Sequence, residues 1–117
     1  MMRFFVFLIV VIGLAACTDN GKAHKNILPQ EKMKLVLFDV LRAQEYATLK
    51  YAGDTTAIDK NMAIMLQQVF DIHKVSKDDF YENFTYYEAH PNENKQLFDS
   101  LSTYTNQKRQ DMYSHLR

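Results

Sequence analysis

Few side chains in this sequence have the type and spacing for chemistry. There is one thiol, Cys17, and there are four histidines, His24, His73, His90 and His115. A carboxylate, Asp39, interrupts an apolar run, and three tyrosines, Tyr81, Tyr86 and Tyr87, crowd one short stretch. A zinc site needs three or four converging ligands, often two of them one helical turn apart. No pair of histidines has that spacing and no second thiol exists, so no metal is expected. His73 falls within an apolar stripe and reads as an imidazole at the edge of a core, bonded to backbone or to a tyrosine. Asp39 shares a helical line with Lys32 and Lys50 and has two readings. It is either a solvated edge or a carboxylate that fixes the third or fourth helix by accepting from Tyr86, Tyr87 or His90. A pocket joining His73, Asp39 and Tyr87 would allow ligand binding or proton transfer. Against that stand the absence of a glycine-rich phosphate loop, of a Gly-x-Ser-x-Gly elbow and of a paired acidic motif. The expectation is no catalytic residue, no cofactor and no enzymatic activity.

Cys17 has a different chemistry available. Met1-Met2-Arg3 is a short positive start, and Phe4 to Leu14 is an unbroken apolar run. That run matches the apolar core of a secretion signal, about 7–15 residues, and is shorter than the ~20 needed to span a bilayer. Leu14-Ala15-Ala16-Cys17 follows and looks like a lipobox, in which small residues admit the chain to a peptidase that cuts before an acylated cysteine. Residues 1–16 are therefore expected to be a cleaved lipoprotein signal peptide, with the lipid on Cys17. One acyl chain holds a protein only marginally, and two or three make release negligible. Residues 17–26 are polar, without apolar period, and read as a tether reaching roughly 17 Å. Thr18 follows the cysteine, where an acid retains lipoproteins at the inner membrane in many Gram-negative bacteria. Only Asp19 is acidic nearby, too little for a surface-export cluster. These residues point to the periplasmic face of the outer membrane.

Residues 27–117 must then fold as a single domain, large enough to bury one core. With one cysteine it has no internal disulfide and is held by packing. Lys+Arg and Asp+Glu balance at 14 each, without a basic stripe, which argues against nucleic acid as a partner. Three glycines and two prolines are few breakers, as helices require. Pro29 and Glu31 suit a first turn, and Met33, Val36, Leu37, Val40, Leu41, Ala43 and Ala47 keep helical spacing to about Lys50. Gly53-Asp54 breaks the pattern, and Thr55 or Thr56 is placed to cap a second helix carrying Ile58, Met62, Met65, Leu66, Val69 and Ile72. Ser76 and Asp79, flanked by Val75 and Phe80, form a near capping box with a hydrophobic staple. Phe80, Phe84 and Tyr87 share a face of that third helix. His90-Pro91 ends it and opens a fourth, seamed by Leu97, Leu101, Tyr104 and Met112. Lys108 breaks the seam, so the final turns should fray or lie exposed. No stretch alternates with the period of a strand. The fold class is all-α: a small bundle of about four helices, antiparallel between neighbours.

Helix 1 has a second stripe. Leu35, Phe38, Tyr46 and Leu49 lie roughly opposite the main one, with Arg42 among them. Either helix 1 is central and packed on both sides, or these residues dock a partner.

Three ordered stretches resemble a known family. They are Ile27-Leu28-Pro29-Gln30-Glu31-Lys32-Met33 with Leu37-Phe38-Asp39, Ile72-His73-Lys74-Val75-Ser76 with Phe80, and Tyr86-Tyr87 before His90-Pro91. The set is similar to the Bacteroidota lipoproteins grouped as domain of unknown function 4296, over about residues 27–105. The resemblance implies a Gram-negative envelope and a lipid anchor, and it supplies no activity, ligand or catalytic residue. The expectation is thus a non-enzymatic protein-interaction module of the cell envelope, tied to the membrane by Cys17. Its partner-binding residues would be Leu35, Phe38, Tyr46 and Leu49. The alternative is a small ligand-binding protein or enzyme around His73, Asp39 and Tyr87. Cys17→Ser should abolish labelling by a fatty-acid analogue and leave an uncleaved or soluble precursor; normal labelling of the serine variant would overturn the lipidation.

Overall fold

The computed structural model describes residues 27–117. Cys17 and the segments read as signal and tether lie outside them. Four helices are present among the described residues: α1 (Gln30–Lys50), α2 (Thr55–His73), α3 (Lys77–Ala89) and α4 (Pro91–Ser114), with no strand. None is long and apolar enough to cross a membrane.

The helix ends follow local chemistry. Pro29 precedes the first turn of α1 with φ −53° and ψ 146°, and its carbonyl accepts from the Met33 N–H at 2.9 Å. Gly53 takes φ +91°, which a side chain would resist, and so turns the chain into α2. The α2 cap is Asp54, whose carboxylate accepts from the Ala57 N–H at 2.9 Å, and not Thr55 or Thr56, which already lie inside the helix. An ionised acceptor at the positive helix end outcompetes a hydroxyl one residue later.

The α2–α3 turn is a Schellman closure. The Val75 N–H reaches the Phe70 carbonyl at 3.0 Å and the Lys74 N–H reaches Asp71 at 3.2 Å. Lys74 sits at φ 55°, ψ 42°, a left-handed conformation that costs a residue with a Cβ about 1–2 kcal/mol. Val75 and Phe70 are both buried, the apolar contact that accompanies this motif. Ser76 then caps α3, its Oγ accepting from the Asp79 N–H at 3.0 Å, and Val75 and Phe80 are buried in the same core.

The core joins Met33, Val36, Leu37 and Val40 of α1 to Phe70, Val75, Phe80 and Tyr87, and to Leu97 and Leu101 of α4. Two expected members turn outward: Leu41 of α1 and Ile72 of α2 are exposed. α2 is rotated toward its Leu66–Phe70 edge, so Phe70 is its one fully buried side chain. The Phe70 ring packs at a tilt beside Phe80, with ring centres 5.2 Å apart, in the core that also holds Val36.

α2 runs against α1: the His73 end of α2 meets Lys32 and Asp39, while Met65 lies near Tyr46. α4 runs with α1. Lys34 and Phe38 flank Tyr104, and beyond them Arg42 and Glu45 face Lys108 and Met112. α3 accounts for the departure from simple up-down alternation. Its start, Phe80, lies by Val40 and Leu41, and its end, Tyr87, by Leu28, so it too descends along α1 and sends α4 back upward. α4 stays helical to Ser114 without fraying, but from Thr105 onward every residue is exposed.

Two substitutions test this turn. Ser76→Ala should lower stability by about 0.5–2 kcal/mol. Lys74→Gly should be neutral or stabilising by up to about 1 kcal/mol, because it removes the left-handed penalty. Urea melts followed by circular dichroism decide both, and a destabilised Lys74→Gly variant would contradict the assigned geometry.

Candidate functional site

The first candidate lies where α1 meets the end of α2. Asp39 sits two helical turns after Lys32, so both side chains leave α1 on one line. The ammonium of Lys32 donates to the His73 carbonyl at 2.6 Å, one of the carbonyls that the end of α2 leaves without a helical partner. The carboxylate of Asp39 accepts from His73 Nε2 at 2.7 Å. α1 therefore grips the last residue of α2 twice, once by backbone and once by ring. The histidine side chain is 16% exposed and the aspartate 40%. The partner of Asp39 is thus on α2, not on α3 or α4, and the partner of His73 is a carboxylate rather than backbone or tyrosine. Sequence spacing places residues on a face but does not say which neighbour that face meets. Tyr87 does not join the pair. It is buried, and its hydroxyl donates to the Leu28 carbonyl at 3.3 Å, on the chain before α1.

The second feature was not anticipated: Asn83, the buried polar residue of α3. Its Oδ1 accepts from the Leu28 N–H at 2.6 Å, and its Nδ2 donates to the Asp79 carbonyl at 2.7 Å. Asn83 and Tyr87, four residues apart on α3, thus hold both polar groups of the Leu28 backbone, at the point where the chain enters the domain. The signal was available, since position 83 falls three after Phe80 and four before Tyr87, on the buried face.

The tyrosine-rich corner is also structural. Tyr86 stacks on the His90 ring with centroids 4.0 Å apart and meets Tyr87 edge-on at 5.5 Å. Its hydroxyl donates to Glu93 at 2.8 Å, which, with partial burial, holds its ionisation above the ordinary value. His90 Nδ1 meets the Tyr86 carbonyl at 2.6 Å. These contacts fasten the His90-Pro91 corner. Among the described residues no group of three or more His, Cys, Asp or Glu side chains could hold a metal ion.

The third candidate is the second stripe of α1. Leu35 is 36% exposed, Tyr46 49% and Leu49 72%. Phe38 differs, being half-buried and packed edge-on against Tyr104 of α4 at 5.0 Å. The stripe is therefore divided, with Phe38 closing the α1–α4 contact and the other three at the surface.

A family model described as domain of unknown function (DUF4296) matches residues 24–111. The chain belongs to the DUF4296 family. The match extends a little beyond both ends of the stretch that carries the resemblance, and takes in most of the exposed end of α4. No curated protein and no solved structure matches the chain. The family description assigns no reaction, so the function of this DUF4296 domain must be argued from its own surface.

Stability separates the two polar features. Asn83→Ala leaves the Leu28 N–H without its partner and should cost about 1–3 kcal/mol. Asp39→Asn disturbs a pair at the edge of the fold and should cost at most about 1 kcal/mol. Equal losses in urea melts would show that the His73–Asp39 pair is more than a surface clasp.

Proposed function

We propose that this protein is a lipid-anchored, non-enzymatic interaction module of the cell envelope. In this reading Cys17 ties it to the outer membrane on the periplasmic side, and the exposed face of α1 docks a partner protein. One observation carries it. Leu35, Tyr46 and Leu49 stay exposed along one face of the most heavily packed helix, beside Phe38. Scattered apolar residues are ordinary at a surface, but Leu35, Tyr46 and Leu49 are aligned on one face of a rigid helix, with Phe38 and Arg42 between them, an arrangement that an interface can use. The leader, the lipobox and the polar stretch behind it support the anchor.

A ligand-binding or catalytic reading would rest on the His73–Asp39 contact. Lys32 and Asp39 engage His73 as a clasp between helices, and Tyr87 is committed to Leu28. That favours a structural role for the pair.

The test is photo-crosslinking from α1 in the living host. Tyr46→Ser with Leu49→Ser should leave the melt nearly unchanged, because both side chains face solvent, and should remove the crosslinked partner. An interface hot spot loses about 2 kcal/mol or more on truncation. His73→Gln should leave the crosslink in place. Retention of the crosslink in the double variant would refute docking through this stripe, and its loss in His73→Gln would favour the second reading.

A further inference from the structure

Beside the stripe, α1 and the exposed end of α4 enclose a groove of about 730 Å³. Its floor is apolar and aromatic: Phe38, Tyr104 and Met112. Its walls carry three cations, Arg42 from α1 and Lys108 and Arg109 from α4. The Arg42 guanidinium lies 5.5 Å from the centre of the Phe38 ring, and the Lys108 ammonium lies 5.4 Å from that of Tyr104. Held over ring faces, these groups are placed rather than free to roam. Among the described residues no carboxylate lies within ion-pairing distance of Arg42 or Lys108. Lys34, over the same Tyr104 ring, is by contrast neutralised by Glu31 at 2.6 Å. The groove also contains two acids. Asp39 is engaged by His73, which leaves Glu45 as the one carboxylate opposing the cations.

We propose that this groove receives an acidic segment of the partner protein, one in which carboxylates alternate with apolar side chains. The inference rests on the docking reading above and names the chemistry of what docks. Aromatic floor and unneutralised cations ask for both halves of such a segment: apolar groups to cover Phe38, Tyr104 and Met112, and carboxylates to meet Arg42 and Lys108. A lipid headgroup would satisfy the cations too, but position disfavours it. The chain enters the domain at Leu28, and Glu45 lies roughly 25 Å further along α1 at 1.5 Å per residue. The groove is thus at the end of the domain away from its point of attachment. An interface with a second copy is disfavoured by charge, because the end of α4 would bring Lys108, Arg109 and Arg117 against the same cations.

The test uses the full chain in non-ionic detergent. Its probe is a fluorescein-labelled peptide alternating Glu with Leu and Phe, read by fluorescence anisotropy, beside the same peptide with every Glu replaced by Gln. Binding should be at least about tenfold weaker for the Gln peptide and should weaken with added salt. Arg42→Glu with Lys108→Glu should reduce binding of the acidic peptide about tenfold or more, while the circular dichroism of the protein is unchanged. Glu45→Gln, which removes the opposing carboxylate, should tighten binding by a factor of about two or more. Equal binding of the two peptides, or insensitivity to the Arg42/Lys108 reversal, overturns the proposal. So does a preference for vesicles containing anionic phosphatidylglycerol that is lost in the same variant, because the groove would then read headgroups. If the host crosslink needs Tyr46 and Leu49 but not Arg42 and Lys108, the docking reading stands and the acidic partner falls.

Discussion

The buried face of α1, from Met33 through Val36 and Val40 to Ala47, is the surface on which the other helices are laid. α2 lies along one side of it and α4 along the other, and the first half of α3 reaches Leu37 and Val40 through Phe80 and Phe84. No sheet or disulfide shares that load among the described residues, so cohesion depends on apolar area removed from water, at about 25 cal/mol per Å². Met33, Val36, Phe70 and Leu97 are essentially inaccessible. They come from three different helices, so loss of any one of them loosens a contact with α1 rather than a detail of the periphery. Deleting a ring at such a position typically costs about 3–5 kcal/mol, a large share of the stability of a domain this size.

Polar groups enter this apolar scheme only where the chain changes direction or begins. Asn83 is buried because the backbone of Leu28 is half-buried beside it and has no helical partner of its own. An apolar residue at 83 would leave that N–H unsatisfied. Lys32 and Asp39 do a related job at the end of α2, the ammonium meeting a terminal carbonyl and the carboxylate fixing the ring. Tyr86, His90 and Glu93 tie the third helix to the fourth. Each polar cluster thus sits at a junction between segments, which is why several residues that could do chemistry on paper turn out to be fastened to backbone or to one another.

The local signals were legible in the sequence and the directional ones were not. Ser76, Val75 and Phe80 specify a helix start within a few residues of chain, and the observed cap and buried pair follow them. Pro91 and the end of α1 at Lys50 are equally local. The cap of α2 was misplaced by one residue, since Asp54 and Thr55 are both good acceptors and only the geometry after Gly53 decides between them. Long-range choices failed for another reason. Periodicity placed His73 and Asp39 on faces, but whether Asp39 meets α2 or α4 depends on how the helices pack, and the descent of α3 along α1 has no signature in its own thirteen residues. The buried role of Phe70 was missed for the same reason: the stripe Ile58, Met62, Met65, Leu66, Val69 and Ile72 is as regular when it ends on Ile72 as when it continues from Leu66 to Phe70, and Leu66 and Val69 do pack against the core while Ile72 is exposed. The distinction is a rotation of the helix, fixed by its neighbours.

The same packing explains why apolar surface remains exposed. Three helices cover α1 from the Asp39 line round to Phe38, and covering the remaining arc would need another element. Leu35, Tyr46 and Leu49 lie on that arc. Phe38 marks its border, since its ring meets Tyr104 on one side and Arg42 on the other. The free stripe and the basic groove therefore meet at Phe38 and Arg42 and form one continuous surface. α4 prolongs that surface by running on to Ser114 after its last buried residue, Leu101. A helix that continues past its own core adds exposed apolar groups, Met112 among them, without adding to the core itself. In the proposed docking that extension serves recognition, since past Leu101 only Tyr104, half-buried against Phe38, still contributes to packing.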